Sequence, residues 1–153
     1  AVVLTNMLFR EAYPELIYLL KIYAAAGAIL GHNFPFYLKF KGGKGIAATA
    51  GMILSFHPYL IPMGVILFFG IFFTTHYVSL GSMAVYAGFL IELIVLGQAG
   101  VFGMSQEALA EMYLVAGFLT AMAYYKHKDN IKRLLGGTER KTYLTHKNKE
   151  EKK

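Results

Sequence analysis

The chain has 153 residues, 56% of them hydrophobic and only 16% charged, with a formal net charge of +6. A mean hydropathy of +0.47 is too apolar for a soluble domain of this length and points to an integral membrane protein. There is no cysteine, which excludes disulfides, thiolate metal sites and cysteine nucleophiles.

In chain order, AVVLTNMLF at the start reads as the end of an apolar helix rather than as a charged, cleavable leader. The expectation is a truncated N-terminal helix in a chain that begins inside a larger protein. REAYPE at 10–15 makes a polar turn at Pro14, and apolar segments follow at about 16–38, 45–56, 59–75, 77–96 and 108–125, each near the length that spans a bilayer as helix. The segment 45–56 is short, with a rise of only about 18 Å, so it must borrow flanking residues or be shielded by neighbours. His57–Pro58 punctuates the next pair, and Pro62 is tolerable in a first helical turn. QAGVFGMSQE at 98–107 is a connection in which Ser105 is placed to cap the last span. The fold predicted is an all-α polytopic membrane helix bundle of about five apolar segments plus the truncated helix. It forms one domain over residues 1–146, followed by a charged tail at 147–153 expected to be disordered.

The charge is unevenly spread. Residues 126–153 hold ten Lys/Arg against four Asp/Glu, whereas residues 1–125 hold five of each. This basic run abuts the last apolar segment, where the positive-inside rule expects cytoplasmic Lys and Arg, so nucleic-acid binding is a poor explanation. Lys39, Lys41 and Lys44 point the same way. With four spans between that loop and the tail, parity puts both on the cytoplasmic side together with the connection TTHYVSLGS at 74–82. Three polar segments are thus expected to converge on one surface.

Residues 31–49, GHNFPFYLKFKGGKGIAAT, combine lysines with Gly42, Gly43 and Gly45 ahead of a helix. Glycines let backbone N–H groups converge and the helix N-terminus favours negative charge, so this is an anion cradle suited to phosphate. FKGGKG is not a Walker A loop, because no Ser or Thr follows Lys44. Lysine-rich short loops are also what any cytoplasmic connection contains. His32 either orders the loop as a packed side chain or contacts substrate.

In YKHKDNIKRLLGGTER, His127, Asn130 and Arg133 recur every three residues and would line one helix face. Arg133 can grip phosphate in a bidentate contact, Asn130 can hold a hydroxyl and His127 can take or give a proton. The plain alternative is a basic helix that only fixes topology and touches lipid headgroups. Ser79 and Ser82 share a face at the start of a span, where serines are more often caps or interhelical links than ligands. Glu92 and Glu111 lie in apolar spans but near the opposite interface.

Taken together, GHNFPFYLKFKGGKG and HKDNIKRLLGGTE resemble the bacterial acyl-phosphate:glycerol-3-phosphate acyltransferase family. The first block matches at Gly31, His32, Phe34, Pro35, Phe40 and Lys41 through Gly45; the second at His127, Asn130, Ile131, Arg133, Leu134, Gly137 and Glu139. Nothing in residues 1–30 resembles the family's earlier serine- and arginine-bearing loop. His76 stands where many relatives have arginine, and Ala48 replaces a common threonine, with Thr49 beside it.

The resemblance implies transfer of a fatty acyl group from acyl phosphate to the sn-1 hydroxyl of glycerol 3-phosphate, giving lysophosphatidic acid and phosphate. It implies a multi-pass protein of the bacterial cytoplasmic membrane, with its site loops and C-terminus cytoplasmic and the lipid bilayer as partner. Acyl phosphate is already activated, so neither a metal nor another cofactor is expected. His127 and Asn130 are the expected catalytic pair. His32, Lys41, Gly42, Gly43, Lys44, Gly45, Ser79, Ser82 and Arg133 are the expected phosphate-substrate ligands, and Glu139 has a structural role through a nearby Lys or Arg. A small membrane transporter or channel for an organic anion is the alternative from a different class; it calls for ionisable or broken-helix features at mid-bilayer, whereas the polar residues here gather at one face.

Overall fold

The computed structural model describes residues 1–143; the tail expected at 147–153 lies outside them. The described residues form seven α-helices and no strand: α1 (Val2–Phe9), α2 (Ile17–Asn33), α3 (Ile46–Phe56), α4 (Leu60–Thr75), α5 (Val78–Gln98), α6 (Gln106–Lys126) and α7 (Lys128–Leu135). Single 3-10 turns at Pro14–Leu16 and Phe36–Leu38 flank α2. The all-α membrane bundle read from the sequence is the fold observed.

Three of the five apolar segments are long enough to cross a bilayer: α2 with its flanking turns, α5 and α6. α3 and α4 have 11 and 16 residues, rises of about 16 and 24 Å. α3 is screened by packing against α1, α2 and α4. Ser105 caps α6 as its sequence position suggests, accepting a hydrogen bond from the Ala108 N–H at 3.2 Å.

α2 runs through the middle, packed on α1, α3 and α6, while α4 and α5 form an antiparallel pair. The core joins Ile22 and Ile29 of α2, Phe56 of α3, Leu93 of α5 and Met112 and Ala116 of α6, all almost fully buried. With apolar lipid outside, helix association depends on close packing rather than on expulsion of water. Small residues supply that closeness along α5. A Cβ at Gly81 would lie 3.3 Å from the Phe68 carbonyl oxygen of α4, and one at Gly88 would overlap Leu67 Cδ1.

Gly88→Leu is therefore expected to force α4 from α5 and destabilise the protein by about 1–3 kcal/mol. Gly51→Leu, where a Cβ meets nothing within 4 Å, should be close to neutral. Thermal unfolding in detergent compares the two.

Candidate active site

The chain folds so that the C-terminal end of α2, the N-terminal ends of α3 and α5, and α7 with the segment after it meet at one end of the bundle. Each contributes because its helix stops or starts there. α2 ends at Asn33, ahead of Pro35, and Gly45 opens α3 with φ +78°, a conformation that strains any side-chain-bearing residue. Gly136 and Gly137 follow the end of α7, Gly137 at φ +66°, which turns the chain back and delivers Glu139.

Glu139 is the centre of this end. Its Oε1 accepts from Ser79 Oγ at 2.6 Å and from Asn130 Nδ2 at 2.6 Å, and its Oε2 accepts from Arg133 Nε at 2.7 Å. Its side chain is only 6% exposed. Burial alone raises the carboxyl's pKa, but the hydrogen bonds from Ser79, Asn130 and Arg133 and the Arg133 charge outweigh it and hold Glu139 below the usual carboxylate range. The pairing anticipated for Glu139 is thus with Arg133. Asn130 and Arg133, three residues apart on α7, reach the same carboxylate.

Asn130 also accepts from Lys44 Nζ through its Oδ1. A continuous chain, Glu139 to Asn130 to Lys44, therefore fixes the lysine at the mouth of α3. The glycine loop is folded against the end of α2: Gly42 N–H donates to the Asn33 carbonyl at 3.3 Å. Cβ atoms at Gly42 and Gly43 would overlap the His32 carbonyl oxygen and its Nε2, respectively. His32 and Lys41 are otherwise exposed. Just before the glycines, Lys39 and Phe40 sit at φ +52° and +61°, two consecutive residues in a region costly to L-amino acids.

His127 lies at the α6–α7 junction and is fully buried. Its Nδ1 is 2.7 Å from the Ala123 carbonyl oxygen, which only accepts, so the proton is on Nδ1 and Nε2 presents a lone pair. Among the described residues Nε2 has no partner. Burial lowers the His127 pKa and nearby Lys44 acts in the same direction, against weaker opposition from the Ala123 carbonyl and Glu139. The imidazole is neutral at neutral pH.

The two serines part ways. Ser79 faces Glu139, whereas Ser82 donates to the Val78 carbonyl of its own helix at 2.8 Å and borders an apolar cleft of about 370 Å³ between α3, α4 and α5. Thr49 is buried in a hydrogen bond to Tyr86, whose hydroxyl lies 3.3 Å from where a Cβ at Gly45 would stand. The His76 carbonyl accepts from Thr142 N–H at 2.8 Å, which pins the segment after Glu139 against the start of α5. Two residues missed in the sequence complete the end. Lys126 Nζ donates to the Asn33 carbonyl at 3.0 Å and lies 4.0 Å from the Phe34 ring centroid, tying α6 to α2; Asn33 is fully buried. Lys126 reads in sequence as one more juxtamembrane cation, and only packing shows its partner.

Residues 1–137 match the protein-family model described as glycerol-3-phosphate acyltransferase. The chain belongs to the glycerol-3-phosphate acyltransferase family. It is 37% identical over 140 residues to a glycerol-3-phosphate acyltransferase of Mycoplasmopsis synoviae, covering 84% of this chain and 59% of that one. It is 38% identical over 122 residues to glycerol-3-phosphate acyltransferase 2 of Bacillus cereus, covering 80% and 56%. The chain thus spans somewhat more than half the length of these relatives. Among solved structures it resembles PlsY (YgiH), an integral membrane glycerol 3-phosphate acyltransferase, in its glycerol 3-phosphate form, with a TM-score of 0.65 and 25% identity over 90% of this chain and 75% of that one. The lysophosphatidic acid form of PlsY gives the same TM-score over 94% and 79%.

Because Glu139 has a depressed pKa, its contribution to this acyltransferase-family cluster is complete above the ordinary carboxylate range and is lost as pH falls through the lower folded value. Amide hydrogen exchange in α7, corrected for intrinsic rates, should accelerate about 10- to 100-fold across that fall, the loss of one charge-assisted bond. In Glu139→Gln, exchange should already be fast and independent of pH.

Proposed function

We propose that the protein transfers a fatty acyl group from acyl phosphate to the sn-1 hydroxyl of glycerol 3-phosphate, forming lysophosphatidic acid and inorganic phosphate for phospholipid synthesis. The observation that carries this reading is the Glu139–Asn130–Lys44 chain, which holds an ammonium on Asn130 next to the glycine-rich start of α3. The related PlsY exists in glycerol 3-phosphate and lysophosphatidic acid forms, the acceptor and product of this reaction.

In this account Lys44 keeps two N–H donors for a phosphate, and Gly43 and Gly45 with the first N–H groups of α3 add backbone donors, while the Gly42 N–H, engaged with the Asn33 carbonyl, shapes the loop. Lys41 and His32 flank the same loop. Arg133, with 45% of its side chain exposed, keeps its Nη groups for a second phosphate. The acyl chain enters the apolar cleft that begins at Ile46 and Ser82. Asn130 has both polar groups engaged and acts by positioning Lys44; Glu139, which accepts from Ser79, also accepts from Asn130 and holds it in place.

The hydroxyl oxygen of glycerol 3-phosphate attacks the acyl carbonyl carbon. The carbon–oxygen bond to phosphate breaks, and phosphate leaves with the bonding pair while Lys44 and the loop N–H groups balance its charge. The hydroxyl proton passes to His127 Nε2, whose tautomer makes it an acceptor, or to a substrate phosphate, which needs no access to a buried ring. The enzyme works in the bacterial cytoplasmic membrane with this end on the cytoplasmic side, supported by the concentration of Lys and Arg after α6.

Lysophosphatidic acid formation from purified acyl phosphate and glycerol 3-phosphate tests the reaction, and absence of product from the folded protein would refute it. Lys44→Ala should reduce kcat/KM about 10- to 100-fold. With His127 as base, activity falls on the acid side at a pH below the ordinary imidazole value, and His127→Gln abolishes that limb. With substrate phosphate as base, the limb survives the substitution.

A further inference from the structure

Far from Glu139, α2 carries a buried cation. Lys21 is 7% exposed and stands twelve residues before the end of α2, about 18 Å away along the helix, beside the C-terminal end of α3. Its Nζ donates to the Phe56 carbonyl at 3.1 Å and lies 4.8 Å from the Tyr18 ring centroid. No carboxylate answers it, since the one ion pair among the described residues is Arg133–Glu139.

More positive charge gathers there instead. Arg10 and His57 line the same cavity of about 410 Å³, together with Asn6 and Ser55, and among the described residues no Asp or Glu lines it. His57 Nδ1 accepts from Tyr59 N–H at 3.3 Å, so the neutral ring carries its proton on Nε2 and is a donor. Its pKa is pushed down by burial and then by the Lys21 charge. A like-charged, donor-rich cavity beside a buried ammonium is electrostatically incomplete.

The structure assigns to this cavity a second anion site, for a phosphate group held by Arg10, Lys21 and His57 at the end of the bundle opposite Glu139. Guanidinium, ammonium and imidazole donors together suit a ligand with several acceptor oxygens. Such a group comes either from a phospholipid headgroup, whose level in the bilayer is that of the helix ends, or from free phosphate.

Native mass spectrometry of the purified protein, titrated with phosphatidylglycerol in one arm and inorganic phosphate in the other, tests the assignment. The adduct at this cavity should weaken about tenfold in Arg10→Gln, the loss of one charge-assisted contact, and persist in Lys44→Gln, which removes only phosphate held at the Glu139 end. Arg10 is exposed, so this variant folds even where Lys21→Gln does not. An Arg10-sensitive adduct in the lipid arm alone identifies a headgroup site, and one in the phosphate arm identifies a site for the free anion. Adducts insensitive to Arg10→Gln in both arms, or no adduct in either, overturn the proposal.

Discussion

A single carboxylate organises the polar end of this bundle. Glu139 collects donors from the start of α5 and from two positions on α7, and through Asn130 it reaches the loop that precedes α3. Three segments far apart in sequence are joined at one side chain. Each charge-assisted bond contributes about 1.5–3 kcal/mol, but the requirement matters more than the sum. A carboxylate this buried, stripped of its partners, would be protonated or would pull the segments apart. The charge of Glu139 and the position of Lys44 are therefore one property of the fold.

Around that hub, backbone shape does what side chains cannot. The glycine loop lies so close to the His32 and Asn33 end of α2 that side chains at Gly42 and Gly43 would collide with His32. Lys126 holds that same end from α6. The apolar cleft between α3, α4 and α5 reaches Ile46, the first residue of α3, next to the loop that carries Lys44; the proposed acyl transfer draws on that juxtaposition of apolar and cationic surfaces.

Much of this was legible in the sequence. The apolar runs and their Pro and Gly breaks mark the helices, because membrane-spanning segments must satisfy their backbone internally. Parity and charge bring the glycine loop, the Ser79 turn and the Asn130 helix to one end. What composition does not carry is the direction of each side chain. Ser79 and Ser82 lie on one face by spacing, yet one meets Glu139 and the other returns to its own helix. His127 shares the spacing of Asn130 and Arg133 but caps the junction and turns inward. Lys21, an unremarked cation in an apolar run, becomes conspicuous only when Arg10 and His57 arrive beside it.

Double-mutant cycles on unfolding free energy, pairing Glu139→Ala with Ser79→Ala and with Arg133→Ala, test most directly whether one carboxylate couples the segments. Interaction energies of about 0.5–3 kcal/mol are expected for both pairs, because each partner's contribution passes through the same charge. Strict additivity in both cycles would contradict the account and reduce Glu139 to one contact among many.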